Sequence, residues 1–331
     1  MKVQVSKLKD KMSEVLLRAG YSKADIPFII NMYLGGELRG HTCHGLASFP
    51  GFVSKEFSSD REPIIMKETQ SLFMIDANAQ SGNVVGRRAA DEAIKRAEKS
   101  GVGTAIVKNM ESWLRPGAVA EYISEKGYVA IVINNGGEAA VAPPGGFDPV
   151  TGTNPIAYGI PTENGSLVVD MATSKRAKGQ IRLANKYGTD LPPNSFYDAN
   201  GEVTVDPKAA YSIMPFGEYK GFSLALLVEI LCGSLVGMPM LNQDDPSNNN
   251  FGGKTPKRGG LIFVVDPKMT TDADTFTQVN SDYIEKIKST RPRKGEQIRI
   301  PGEEAAKEQN SKITDDEIEI PDEIWEELKG L

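Results

Sequence analysis

Histidine and cysteine are nearly missing from this chain: 331 residues hold two of each, His41 and His44, Cys43 and Cys232. So few ligands give no zinc pattern, and no metal is expected. Two cysteines form no disulfide framework and suit a reducing compartment. No apolar run reaches bilayer length. The start, MKVQVSKLKDKMSEVLLRAG, lacks the continuous apolar stretch and small-residue cleavage site of a secretory signal. The expectation is a cytoplasmic protein with no membrane partner. Positive charge is also short. The net charge is −6, which argues against nucleic acid as a partner. The deficit sits at one end, because residues 303–331 carry 11 acidic and 3 basic side chains. The remaining body is compatible with an anionic ligand. Finally, no G-x-G-x-x-G follows a strand. Gly101-Val102-Gly103 comes nearest, but it precedes a strand instead of opening a helix, so a standard Rossmann site is not expected.

What is present reads as alternating helix and strand. Leu8, Met12, Val15 and Leu16 mark one face of an N-terminal helix, and Ser22 to Asp25 form a capping box for a second. Residues 71–76 read as a strand. Residues 83–99 read as a helix with Ala89, Ala93, Ile94 and Ala97 inward and Gly101 just past its end. A strand at 103–107, a helix begun at Pro116 and a strand at 128–134 complete a βαβαβ rhythm, and the fold class is α/β. Residues 156–160 and 166–170 form a hairpin around a Glu-Asn-Gly turn. Residues 222–235 are apolar almost all round and read as a buried helix. Residues 260–265 read as a strand. Phe276, Val279, Tyr283, Ile284 and Ile287 trace another amphipathic helix, and a short acidic one begins at Pro321. Residues 243–258 read as a mobile loop. The expected organisation is a helical part, 1–65, carrying the His44 loop, and an α/β part, 66–331. The C-terminal segment is expected to pack back on the N-terminal part.

Residue chemistry alone leaves each candidate site open. The second hairpin strand delivers Asp170 to its end, followed by the small residues Ala172, Thr173 and Ser174. Small residues admit a ligand near the backbone, yet an ordinary surface loop has the same composition. Lys220 and Gly221 precede an apolar helix and suit a phosphate, or are simply a surface lysine near a helix start. Arg299 to Glu303, RIPGE, reads as a turn with an arginine beside it. His44 is either a buried hydrogen-bonded ring or a proton-handling one.

Together these runs resemble the signature segments of the type 2 malate/L-lactate dehydrogenase family. TGTNPIA and DMATSKRAKGQI are similar to the family's L-G-T-N-P-I-A and D-M-A-T-S-x-x-A-x-G-K-I, with Gln180 in place of the last lysine. FGEYKGFSLALLVEI resembles G-G-x-K-G-x-G-L-A-L-x-V-E, RIPGE resembles R-x-P-G-E, and residues 134–146 resemble N-x-x-x-x-V-x-P-x-G-G. The resemblance implies a nicotinamide cofactor, NAD or NADP, contacted at Gly136, Asp170, Met171, Ala172, Lys220, Arg299, Gly302 and Glu303. Residues 39–52 are similar to R-G-x-x-S-H-G-x-x-R-x-x-x-Y, keeping Arg39, Gly40, His44 and Gly45. Cys43 stands for the serine, Ser48 for the arginine and Phe52 for the tyrosine. After the strand at 103–107, Ser112 stands for the family's acid/base histidine in N-S-x-H-x-G-x-x-G, and Leu114 for its inner glycine. Glu111 and Arg115 are the neighbours that stand nearest to replace the histidine.

The resemblance implies an α/β, non-Rossmann fold with a helical N-terminal part, and a homodimer. It implies an NAD(P)-dependent oxidoreductase that moves a hydride between nicotinamide and a 2-oxo/2-hydroxy acid or related carboxylate. His44 and Asp170 are the expected catalytic pair, and Cys43, Ser48, Phe52 and Ser112 the expected substrate contacts. The rewritten substrate half points away from malate and lactate. The alternatives are a cyclic imino-acid (C=N) reductase, and a cofactor-binding pseudoenzyme.

Overall fold

The computed structural model describes residues 1–40, 44–54, 62–111, 113–136, 139–238, 240, 258–313 and 316–331. A short strand β1 (Lys2–Gln4) leads into α1 (Val5–Arg18), then α2 (Ile26–Leu38) and α3 (Phe49–Val53). The α1 helix buries Val5, Leu8, Met12, Val15 and Leu16 on one side, as its spacing predicts. Each such side chain contributes roughly 2 kcal/mol by leaving water. Strands β2 (Ile64–Glu68) and β3 (Leu72–Asp76) precede α4 (Gly82–Ser100), β4 (Val102–Met110), α5 (Pro116–Ser124) and β5 (Val129–Asn134). Ser81 caps α4 by accepting the Asn83 N–H, and Gly101 ends it at φ +80, where a left-handed backbone favours glycine.

The hairpin forms as β6 (Ile156–Thr162) and β7 (Gly165–Met171), followed by α6 (Gly179–Tyr187). A small three-stranded sheet, β8 (Phe196–Tyr197), β9 (Val203–Thr204) and β10 (Ser212–Ile213), leads to α7 (Tyr219–Cys232). The chain closes with β11 (Arg258–Val265), α8 (Ala273–Lys288), α9 (Glu303–Lys312), β12 (Glu317–Glu319) and α10 (Asp322–Gly330). β12 pairs antiparallel with β1, and the Met1 amino group donates to Ile320 O at 2.7 Å.

The main sheet runs β2-β3-β4-β11-β5-β6-β7. Among the described strands of this sheet only β3 and β4 are parallel neighbours, joined by α4 as a βαβ unit. The expected rhythm would place β5 beside β4. Instead β11, from far downstream, enters between them and runs antiparallel to both. Alternation along the strands sorts the two faces. Ala105, Val107, Ala130 and Val132 join the core shared with α1, α2, α4 and α5. Ile133 packs with Val228 and Cys232 of α7 on the opposite side.

Two expectations need correction. The 222–235 segment is a helix, but it is buried on one face only. Ala225, Val228, Glu229 and Cys232 lie against the sheet, while Leu226, Leu227 and Ile230 face outward, Leu227 at 50% exposure. Residues Tyr219–Val236 also reach 18 residues at mean hydropathy 1.5, long and apolar enough by composition to cross a membrane. The buried carboxylate of Glu229 and the packing on β5 and β11 explain this segment as a sheet-covering helix with an uncovered outer face. In α8, Phe276, Ile284 and Ile287 are half-buried, but Val279 and Tyr283 are exposed. Most of the expected 243–258 loop lies outside the described residues.

Candidate functional site

The end of β7 divides two cavities. Asp170 and Arg115 line both of them. The larger has a volume of about 600 Å³ and the smaller about 360 Å³.

Three elements deliver the shared wall. Arg115 is the residue before α5, and Pro116 occupies the first helical position, where a missing N–H costs nothing. The next free amide, Gly117 N–H, donates to Asp170 Oδ2 at 2.9 Å. Asp170 therefore caps α5 from another strand. A Cβ on Gly117 would meet the Asp170 Cβ at 2.7 Å, so glycine permits the approach. Asp170 faces cavity space while protein encloses most of its surroundings. Enclosure pushes its carboxyl pKa up, against the lowering influence of the Gly117 N–H and the Arg115 charge. Arg115 is buried and donates to Met32 O of α2 at 3.0 Å. Burial, with the nearby charge of Arg39, lowers its pKa to about 10, so it stays cationic at neutral pH.

The C-terminal end of α2 carries the His44 loop. Glu37 is buried and its carboxylate accepts the Leu46 N–H at 3.1 Å. A Cβ at Gly36 would stand 2.4 Å from the His44 carbonyl oxygen, and one at Gly35 would crowd the guanidinium groups of Arg115 and Arg39. The Gly35-Gly36 pair thus clears space for both. Arg39 pairs with Glu121 of α5. His44 lines the smaller cavity with Leu114, Gly136, Ala172, Lys178 and Arg258.

The two linings differ in chemistry. The larger cavity has apolar walls from Leu167, Met171, Ile284 and Ile300, with Lys288 held by Glu303 at 3.0 Å. Among the described residues, the smaller one brings the cations Arg115, Lys178 and Arg258 around one carboxylate, Asp170. Burial lowers the pKa of Lys178, and does the same to Arg258. Such a lining suits a small anion.

The expected site residues distribute as follows. Asp170, Met171, Gly302 and Glu303 meet at the larger cavity, and His44, Gly136, Asp170 and Ala172 at the smaller one. Lys220 sits in the first turn of α7, and Arg299 precedes α9. Both are exposed and outside both linings. Ser48 donates its hydroxyl to Gly45 O at 2.8 Å. Phe52 is buried in an aromatic cluster, with ring centroids 5.2 Å from Tyr21 and 5.3 Å from Tyr33. Neither Ser48 nor Phe52 lines either of these two cavities. Cys43 and Ser112 lie outside the described residues.

The signature motifs also hold one another. Asn154 of TGTNP takes the Gly136 N–H on its Oδ1 at 2.8 Å and donates to Ala225 O at 2.8 Å and Glu229 Oε2 at 3.0 Å. The Thr173 amide and hydroxyl both donate to Thr153 O, at 2.9 and 3.0 Å. Phe216 N–H then donates to Thr173 O at 3.1 Å. Gly302 has φ +86, and a Cβ there would lie 1.9 Å from Val168 O. Its glycine is required by packing on β7.

Sequence reasoning passed over Lys178, Arg258 and the Asn154–Glu229 link. Lys178 falls on a variable position of the DMATS segment, and Arg258 on what reads as a loop end. The glycine pair inside α2 was the available signal for the site's geometry, because glycines within a helical pattern mark close packing.

A sequence model described as malate/L-lactate dehydrogenase matches residues 3–329. The chain is 32% identical over 327 residues to an L-sulfolactate dehydrogenase of Methanothermobacter thermautotrophicus, covering 97% of this chain and 93% of that protein. It is 28% identical over 333 residues to a Delta(1)-pyrroline-2-carboxylate/Delta(1)-piperideine-2-carboxylate reductase of Pseudomonas putida, covering 96% and 95%. The solved structure of sulfolactate dehydrogenase from Methanocaldococcus jannaschii superposes with a TM-score of 0.86 at 28% identity, over 100% of this chain and 96% of that one. Fold, motifs and full-length similarity agree: this chain belongs to the malate/L-lactate dehydrogenase family.

Proposed function

We propose that this chain is a cytoplasmic, homodimeric NAD(P)-dependent oxidoreductase acting on a 2-oxo/2-hydroxy acid or related carboxylate. The observation that carries the reading is the wall of Asp170 and Arg115 shared by an apolar cavity and a cationic one. A bound nicotinamide supplies or accepts the hydride. The larger cavity fits that group by its volume and by its apolar walls with charged ends. Met171, Gly302, Glu303 and Asp170 would hold it there. Lys220 and Arg299, exposed beyond the lining, offer charge to phosphate oxygens. The cations of the smaller cavity orient the substrate carboxylate, which fixes the reacting carbon.

His44 is assigned the proton transfer at the substrate oxygen, since an imidazole titrates near neutrality. Asp170 serves as its positioning carboxylate. A cyclic imino acid is the second reading. Ser112 in place of the family's histidine favours it, because an imine nitrogen needs less help from an acid than a carbonyl oxygen. The homodimer rests on uncovered apolar surface: Leu226, Leu227 and Ile230 of α7, and Ile64, Ile65 and Met66 of edge strand β2.

The test is a fluorescence titration with NADH and NADPH, followed by absorbance assays with 2-oxo acids and cyclic imino acids. Turnover of a member of either class identifies the substrate type. Cofactor binding without turnover on the whole panel favours the pseudoenzyme, and no binding of either cofactor overturns the reading.

A further inference from the structure

We propose that Arg258 is this chain's substrate-carboxylate anchor, supplied by the central strand of the sheet in place of the arginine that the resemblance expects at Ser48. The proposal deepens the oxidoreductase reading and rests on it for the identity of the anion.

The backbone aims this residue. β11 pairs with β4 in register from Gly260 onward, but the register shifts between Arg258 and Gly260. The extra residue lies on β4, where Lys108 and Asn109 (φ +55) stand opposite Gly259 alone; the Gly259 N–H donates to Asn135 Oδ1 at 3.0 Å, and its carbonyl accepts the Asn135 N–H at 3.4 Å. A Cβ at Gly259 would lie 1.8 Å from Cys232 O, so only glycine fits. A bulge of this kind redirects the neighbouring side chain. Arg258, paired with Met110 just past the β4 bulge, lines the smaller cavity with Lys178, Arg115 and Asp170.

Its guanidinium is poorly compensated there. The Nε is buried with no hydrogen-bond partner among the described residues. Glu111 acts on it through its field, and burial outweighs that attraction. A guanidinium offers five donors in a planar fork that matches a carboxylate. A guanidinium with an unmatched Nε in a cationic cavity fits an anionic ligand better than an internal structural pair. Ser48, by contrast, spends its hydroxyl on Gly45 O.

The experiment uses the full chain, with oxalate as the probe. Calorimetry measures oxalate affinity, and thermal unfolding is followed with and without oxalate. Arg258→Gln is expected to weaken oxalate roughly ten- to a hundredfold, the scale of a lost charge-assisted pair. Arg258→Lys is expected to fall between the two, since it keeps charge and loses the fork. Without oxalate, Arg258→Gln should unfold at the same temperature as the parent or higher, because an uncompensated buried charge is removed. NADH and NADPH affinities should stay within about twofold. Unchanged oxalate affinity in both variants, or no oxalate binding by the parent, overturns the proposal. A lower unfolding temperature in Arg258→Gln, restored in Arg258→Lys, makes Arg258 a structural cation and also overturns it. Arg258-dependent oxalate binding in a protein that binds neither nicotinamide would sink the oxidoreductase reading while supporting the anchor.

Discussion

Asp170 Oδ2 accepts the backbone N–H of Gly117 at 2.9 Å, so a strand end and a helix start, 53 residues apart, share one hydrogen bond. Gly117→Ala would place a methyl group 2.7 Å from the Asp170 Cβ and 2.8 Å from its Oδ2. The carboxylate must move. The expected stability loss is about 1–3 kcal/mol, as for other overpacked sites. Activity should fall at least about tenfold if Asp170 works as proposed. Urea denaturation and kcat/KM measure the two effects separately.

The raised carboxyl pKa of Asp170 has consequences of definite sign. Enclosure is the largest influence, so the native state keeps this proton above the ordinary aspartate range. The group's contribution to stability is therefore full below the unfolded pKa and is lost as pH rises through the native value. From about pH 4 upward, Asp170→Asn should flatten that part of the stability profile. In activity, the carboxylate form is the one able to stabilise an imidazolium. The acid limb of kcat/KM should lie above the ordinary aspartate value and vanish in Asp170→Asn. An unchanged limb in the variant would remove Asp170 from the mechanism.

Asn154 must remain an amide. Its Nδ2 donates to Glu229 Oε2, which is buried. Asn154→Asp keeps the shape but sets two carboxylates against each other. The expected cost is about 2–4 kcal/mol at pH 8. Like charges raise the pKa of such a pair, so stability should recover as pH falls. Chemical denaturation at pH 8 and pH 5 checks this, and an equal loss at both pH values would contradict it.

Glu218 adopts φ +58, ψ −121, a backbone region suited to glycine. The family form has glycine there, in G-G-x-K-G. The side chain is exposed, so little packing is at stake. Glu218→Gly should relieve strain and stabilise by about 1 kcal/mol after the entropy cost of glycine. A raised denaturant midpoint confirms it, and a lowered one means that the carboxylate holds the turn.

The local elements were legible because their signals are local. Gly101 and the alanines of α4 carry a helix's stop and inner face, whereas the Ser81 cap was not read. The apolar run of α7 was legible as a helix but not as half-covered, since periodicity vanishes when both faces are apolar. Strand neighbours were less accessible: nothing near β4 or β5 announces that β11 separates them. At the site, the motifs gave positions without contacts. Phe52, read as a substrate neighbour, sits with Tyr21 and Tyr33 in the core. Leu114 stands for a family glycine and has φ +60, and Arg115 N–H reaches back to Trp113 O at 2.5 Å around it. A leucine side chain thereby lines the smaller cavity.

The place of β11 between β4 and β5 bears on how this protein is made. During synthesis, β2, β3 and β4 emerge long before β11, as do β5, β6 and β7. Two three-stranded halves then wait with open inner edges, each able to pair with a wrong strand. The last arrival joins them, and its first residue is Arg258. Completion of the sheet and completion of the cationic cavity are thus one event, so a chain stalled before β11 would have neither.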